Sequence, residues 1–408
     1  MKNGWQTKKL GEMCDVVNGG TPKTGVSEYW GGQHRWITPA EMGKRLSPYV
    51  SETERMISDM GLRNSSAQLL PPHSVILSSR APIGHLVINT ELMATNQGCK
   101  GLIPGSQLQH KFLYYYLSSI VDLLNSLGTG ATFKELSGGK LKEVEIPFPT
   151  LDEQKRIVAK LDEAFVRLAK AKENAEKNLQ NARALFESHL DSVFTQRGPG
   201  WVEKSVGKLV TDGVLFKPFD GNHGEIHPKK SDYTDTGVPF VMARDLQYGL
   251  VDTEHCAFIS RKLANSLRVG FAKDGDVLIS HKGTIGRSAI VSTNDDYIML
   301  TPQVTGYRVK DLSKLFNRFI RYYFMSPGFQ RVVVAGAADG STRAYIGITK
   351  QLTLPFLFPP LAEQKRTAAK LDELDPETQR LSRIYEQKLE ALESLKKSIL
   401  HEAFSGNL

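Results

Sequence analysis

The chain has 408 residues, 40% hydrophobic and 24% charged, an ordinary globular composition on a chain too long for one core, so two or three domains are expected. No run approaches the roughly 18 apolar residues of a membrane helix, the opening MKNGWQTKKL has no apolar signal segment, and Cys14, Cys99 and Cys256 fit no metal or redox spacing. A cytoplasmic protein in a reducing compartment is therefore expected, with no membrane partner. Of the net charge of +8, residues 151–194 carry zero (eight Lys/Arg against eight Asp/Glu) and residues 361–408 carry −1 (eight against nine), which leaves +9 elsewhere and points to a polyanionic partner.

In chain order, residues 75–77 and 86–88 are short β-branched runs bounded by turn residues and are predicted strands. Residues 112–127 read as an amphipathic helix whose aromatics, Tyr114, Tyr115 and Tyr116, face a core. Pro149 ends this segment, and Thr150 with Glu153 forms a capping box that starts a different kind of element. There, Val158, Leu161, Phe165, Leu168, Ala175, Leu179, Ala182, Phe186 and Val193 recur in steps of mostly three and four, a coiled-coil seam interrupted by Lys172 and His189. From Val158 to Val193 such a helix spans on the order of 50 Å. The pattern then restarts. Residues 277–279 and 289–291 are predicted strands, residues 315–325 a predicted helix, and Leu371, Leu374, Leu381, Tyr385, Leu389, Leu392, Leu395 and Ile399 a second seam. Neutral helices of this length need packing, so the two are expected to pair antiparallel.

The restart is an internal repeat. Residues 151–165 read LDEQKRIVAKLDEAF, residues 361–375 read LAEQKRTAAKLDELD, and ten of the fifteen positions are identical. The likeness extends collinearly through the preceding segments: Gly4-Trp5 answers Gly200-Trp201, WITPAEM (36–42) answers FVMARDL (240–246), VILSSRAPIG (75–84) answers VLISHKGTIG (277–286), and Gly130-Ala131-Thr132 answers Gly340-Ser341-Thr342. The expected fold is α+β: two tandem globular domains, residues 1–149 and 198–359, related by a pseudo-two-fold and separated by helical spacers, residues 150–197 and 360–408, that form two long antiparallel coiled-coil helices.

No catalytic or metal site is expected. The chain lacks the glycine-rich cofactor loop and Asn/Asp-Pro-Pro-aromatic motif of an adenine methyltransferase. GGTPKTG (19–25) fails the phosphate-loop spacing because Val26 stands where the lysine belongs, and is read as a turn. His223 and His227 are four apart, but Gly224 and Pro228 argue against the helix that a zinc pair needs. The loops instead hold side chains suited to base edges and phosphates. In the first half the candidates are Lys23, Arg35, Thr38, Arg80, His85, Asn96, Gln97, Lys100, Thr132 and Lys134. In the second half they are Lys217, Arg244, His281, Lys282, Arg287, Gln303, Thr342, Arg343 and Tyr345. Positions that differ between halves, such as Arg35, His85, Lys100, Arg244, His281 and Arg287, are the better sequence readers. For protein partners the candidates lie on the seams: Leu161, Phe165, Leu168, Leu179 and Phe186, with Leu371, Leu381, Leu392 and Leu395. A coiled-coil adaptor is the alternative reading, and an autonomous DNA-modifying enzyme a further one.

These residues resemble the DNA-specificity subunit of type I restriction-modification systems. GGTPKT (19–24), YWGG (29–32) and WITPAEM (36–42) are similar to the opening of that family's target-recognition domains, and residues 147–156 and 359–366 resemble its helical spacers. Residues 214–237 depart from the pattern, lacking the Gly-Gly-Thr-Pro and Tyr-Trp-Gly elements. The resemblance implies that each domain docks on one half of an interrupted duplex DNA site while the helices set the gap. It also implies two methyltransferase subunits on the spacers and restriction subunits joining them. No cofactor is expected in this chain; S-adenosylmethionine, ATP and magnesium belong to those subunits. Self-association through the seam is a further possibility when partners are absent.

Overall fold

The computed structural model describes residues 4–80, 82–130, 134–223, 226–282, 284–337 and 345–408. Two helices of 45 residues, Leu151–Thr195 and Leu361–Ser405, run through it. The chain divides into two compact units, Met1–Glu176 with Gln387–Leu408, and Lys177–Glu386. Each unit therefore holds one globular body and a stretch of both long helices. Among the described residues no helix is long and apolar enough to cross a membrane.

In the first unit a five-stranded sheet runs in the order Cys14–Asn18, Cys99–Pro104, Val75–Ser79, Ile83–Asn89, Tyr49–Val50. Its neighbours are antiparallel except the last pair, which is parallel. A second sheet orders Arg55–Ile57, Trp30–Ile37, Met93–Thr95, the latter two parallel. The second unit has a counterpart of each of these strands and adds Leu246–Gln247, Tyr233–Thr234 and Phe271–Ala272 at its sheet edges. One sheet begins Phe219–Asp220, Val304–Tyr307, Val277–Ser280, Ser288–Ile290, Leu250–Val251, again with a parallel final pair. The other places Ala257–Ile259, Val238–Val241 and Ile298–Leu300 side by side, the latter two parallel. Parallel pairs joined through so many residues do not arise from local turns, so their recurrence marks duplication of a whole domain.

The predicted strands form, that of residues 289–291 lying one residue earlier at Ser288–Ile290. The predicted helix 112–127 is two helices, His110–Ser119 and Val121–Leu127, because Ile120 leaves helical geometry at φ −113° and ψ 21°. The helix of residues 315–325 begins at Asn317. Its aromatics are core, with Tyr322, Tyr323 and Phe324 at most 2% exposed.

The repeated helix start has a structural reason. Gln154 is fully buried: its Oε1 accepts from the Gln109 amide at 2.9 Å, and its Nε2 donates to the carbonyls of Gln107 and Pro149, each at 3.0 Å. Gln364 makes the same three bonds in the second unit, to the Phe316 amide at 3.0 Å and the Lys314 and Pro359 carbonyls at 2.8 Å. Two turns on, Asp162 accepts from Lys111 at 2.7 Å and Tyr115 at 2.5 Å, and Asp372 accepts from Arg318 at 2.7 Å and Tyr322 at 2.8 Å. The identical residues fasten each helix to its own globular body. Thr150 caps the first helix, accepting from the Glu153 amide at 3.4 Å, while the Glu153 carboxylate takes Arg156 at 2.6 and 2.8 Å.

Within each unit the two helices pair antiparallel. In the first, Ile157 and Leu161 share a core with Leu400, Ala403 and Phe404, and Lys172 meets Glu393 at 2.8 Å. In the second, Leu190 and Phe194 share a core with Ala368 and Leu371, and Arg183 meets Glu386 at 2.7 Å. Leu395 departs from the expected seam: it is 47% exposed, and Lys396 instead lies over the Phe165 ring. Pro376 lies inside the second helix without ending it; its missing N–H forfeits one intrahelical bond.

Candidate nucleic-acid interface

The GGTPKTG segment is a close-packed turn, as its composition implies. A Cβ on Gly19 would lie 1.9 Å from the Asn96 carbonyl oxygen, and one on Gly20 would lie 2.2 Å from the Ala67 nitrogen. The Gly19 and Gly20 amides donate to the Cys99 and Thr95 carbonyls, so they are not available to cradle a phosphate. Asn96 spends both ends of its amide locally, donating to Thr21 of this turn at 3.1 Å and accepting from the Gly98 amide of its own loop at 2.7 Å. The second unit keeps the same approach without the motif. Gly221 follows the strand Phe219–Asp220, and a Cβ there would lie 2.0 Å from the Leu300 carbonyl oxygen. The departure noted in residues 214–237 is thus one of loop sequence; the close backbone approach remains.

Beside this turn the two units share a second frame. Ser78 Oγ donates to the Pro82 carbonyl at 2.7 Å and accepts from the His85 amide at 2.8 Å; Ser280 Oγ bonds Thr284 and Arg287 in the same way at 2.6 and 3.0 Å. Arg80 then bridges to Glu135 as an isolated antiparallel pair, and Lys282 bridges likewise to Tyr345. Five predicted readers lie in these two clusters, two in the first unit and three in the second. In the first unit the exposed Arg80 lies 3.9 Å from the Glu135 carboxylate, and Lys100, only 5% exposed, lies 4.0 Å from its other oxygen. In the second, Lys282 is exposed and the Tyr345 ring packs 5.4 Å from His281, centroid to centroid.

His281 is 1% exposed. Its Nδ1 lies 2.7 Å from Thr305 Oγ1, and among the described residues its Nε2 has no hydrogen-bond partner, the Asp220 carboxylate lying 3.9 Å away. Burial holds the imidazole well below the usual histidine range, at about 4, so it is neutral at physiological pH. Lys100 and His281 are therefore beneath the surface rather than on it, a placement set by strand register that periodicity does not reveal.

The remaining candidates are dispersed. Lys23, Gln97, Lys134, Lys217, Arg287 and Gln303 are exposed, and Arg35 and His85 are half-buried. Arg244 is exposed, with Nε 3.5 Å from Asp245. The Thr38 hydroxyl caps the helical turn Pro39–Met42, accepting from the Glu41 amide at 3.3 Å. Thr132, Thr342 and Arg343 lie outside the described residues. Arg55, not singled out by sequence, stacks 3.7 Å over the Trp30 ring. On the helices, Leu161 and Leu371 are fully buried and Phe186 nearly so, each in its own unit's core. Phe165, Leu168, Leu179, Leu381 and Leu392 are half-buried, and Leu395 is exposed. Burial pushes the Cys14 and Cys99 thiols up to about 12 and that of Cys256 to about 11, so at neutral pH none is a nucleophile.

Known proteins match this architecture. Residues 2–178 and 219–393 each match the type I restriction modification DNA specificity domain. The MjaIX specificity subunit of Methanocaldococcus jannaschii is 30% identical over 302 residues, 67% of each chain. The MjaVIII specificity subunit of the same organism is 21% identical over 99% of this chain and 93% of its own. Among solved structures, the HsdS subunit of Thermoanaerobacter tengcongensis has a TM-score of 0.58 at 19% identity, covering 100% of this chain and 98% of its own. A chain from a study of complex assembly and conformational transition in the type I R-M system has a TM-score of 0.75 at 20% identity, covering 100% and 99%. With both domains matched by the family model, the chain belongs to the type I restriction-modification DNA-specificity family, as a specificity subunit and not as one of the system's enzymes.

Proposed function

We propose that each unit reads one half of an interrupted duplex DNA site, and that the paired helices fix the gap and carry two methyltransferase subunits. The observation that carries this reading is the strand-for-strand repeat of one scaffold whose polar side chains differ at matching positions. A chain with that design suits an asymmetric bipartite target. The methylation and translocation chemistry, with S-adenosylmethionine, ATP and magnesium, then belongs to methyltransferase and restriction subunits joined to this chain in the cytoplasm. Adenine methylation requires a base extruded from the stack, so the bound duplex has to tolerate flipping while this chain holds its flanks.

The test uses the full chain with its methyltransferase on duplex DNA at several salt concentrations. Binding is expected to fall linearly in log–log form, losing on the order of 10³-fold or more between 50 and 200 mM salt if about six phosphates are contacted. Mapping methylated adenines in a host carrying the system is expected to give one bipartite sequence. Binding that ignores salt, or methylation without a two-part sequence, refutes the proposal and favours an adaptor.

A further inference from the structure

We infer that the paired clusters around Arg80 and Lys282 are the base-reading centres of the two units, and that Asn18, Glu135, Asp220 and Thr305 are specificity-determining members of them. This rests on the DNA-reading function proposed above. The backbone is common to both. Lys100 pairs with Leu77 and Asn18 across the sheet; Thr305 pairs with Ile279 and Asp220 in the same register. The Leu136 amide donates to the Ser79 carbonyl as the Ile346 amide does to that of His281. On this shared frame the chemistry changes at each position: Asn18 becomes Asp220, Ser79 becomes His281, Lys100 becomes Thr305, and Glu135 becomes Tyr345. Moreover, Ser79 Oγ and His281 Nε2, which occupy equivalent positions, are both buried polar atoms without a partner among the described residues. Such atoms are rare in folded proteins and call for a ligand or water.

The two arrangements suit different base edges. In the first unit the Glu135 carboxylate lies between buried Lys100 at 4.0 Å and exposed Arg80 at 3.9 Å, so it draws the guanidinium to this place by charge while leaving its N–H groups to face a base. Two donors in a plane match the O6 and N7 acceptors of guanine. Glu135 and Lys100 are positioning residues in this scheme, and Arg80 is the contact. In the second unit the acid is replaced by Tyr345. Tyr307 donates to Gln351 Oε1 at 2.7 Å, and Gln351 Nε2 donates to Thr305 Oγ1 at 2.9 Å. The Thr305 proton is then directed at His281 Nδ1, and this network assigns the ring hydrogen of the neutral imidazole to Nε2. A lone N–H donor beside the Asp220 carboxylate acceptor matches the N7 acceptor and N6 donor of adenine. Tyr345, 42% exposed and packed against His281, is the side chain that a base edge displaces on entry.

The test is selection of the full chain, with its methyltransferase, on duplexes randomised at both half-sites, followed by sequencing of the bound fraction. Glu135→Gln is expected to relax one base pair of the first half-site by about 5- to 100-fold, with the second half-site unaltered. His281→Gln and Asp220→Asn are expected to alter the second half-site alone. Arg80→Lys, at an exposed position, carries the same test should a buried variant fail to fold. Folded variants that enrich the wild-type sequence overturn the inference and leave the DNA-reading function standing. A wild-type chain that enriches no sequence overturns both.

Discussion

The buried Arg321–Asp375 pair offers a quantitative test of how the second unit is held together. Arg321 Nη2 lies 2.7 Å from Asp375 Oδ2, and both side chains are 8% exposed. Gln379 donates to the other carboxylate oxygen at 2.6 Å, whereas Arg321 Nε has no partner among the described residues. The pair is thus desolvated but incompletely bonded, the situation in which removing one partner costs more than removing both. Asp375→Ala leaves a buried guanidinium unpaired and should destabilise the second unit by about 3–5 kcal/mol. For a unit of this size that lowers Tm by roughly 6–20 °C. The positions of the first unit that align with them in the repeat are Tyr114 and Phe165, both half-buried and each packed on Tyr115, so the scaffold accepts uncharged aromatic side chains at both places. Arg321→Tyr combined with Asp375→Phe should therefore recover most of the loss, to within about 1.5 kcal/mol of wild type or above it. Calorimetry of the full chain and both variants measures this, with urea unfolding as a second probe. An Asp375→Ala cost below about 1 kcal/mol, or a double variant no better than the single one, refutes the reasoning.

Gln364→Ala strands the Phe316 amide and two carbonyls, which should cost about 2–4 kcal/mol and accelerate hydrogen exchange at Phe316; unchanged exchange argues against the clamp. The folded-state pKa of His281, about 4 against an ordinary 6.5, means that the unfolded chain binds a proton more readily between those values. Stability of the second unit should thus fall by up to about 3 kcal/mol as pH drops from 7 to 4, and His281→Gln should remove that part of the slope in urea titrations. Gly221→Ala forces a Cβ against the Leu300 carbonyl and should cost at least about 1–3 kcal/mol, read as a lower Tm. Removing seven residues from each long helix shortens the pair by about 10 Å, so the accepted gap between methylated half-sites should shrink by about three base pairs; an unchanged gap refutes the spacer role.

The duplicated domain and the long helices were legible because they rest on local periodicity and on residues identical between halves. The LDEQKR and LAEQKR starts even contain the clamp glutamines, though only the structure shows Gln154 and Gln364 reaching backward to the loops at residues 107–109 and 314–316. Burial within the sheets was not legible. Lys100 and His281 look like surface cations in sequence, yet Lys100 lies in the consecutively buried stretch 99–102 of an inner strand and His281 directly follows the fully buried inner strand Val277–Ser280, so pairing with distant strands decides their burial. Asp220-Gly221 was missed as the counterpart of Asn18-Gly19 because the following loops differ; counting register outward from Val75–Ser79 and Val277–Ser280 would have found it. Leu395 illustrates the opposite error. Its spacing fits the seam, but a straight α-helix drifts by about 20° per heptad against a 3.5-residue repeat, and Lys396 takes the inward place.

The glutamine clamps have an evolutionary corollary. Every bond made by Gln154 and Gln364 goes to main-chain amides and carbonyls, atoms that every amino acid supplies. A coupling of that kind is indifferent to which side chains the attached body carries. A replacement of one body by a foreign counterpart would therefore keep the glutamine bonds whatever its sequence, and would have to supply only a cation and a tyrosine for Asp162 or Asp372.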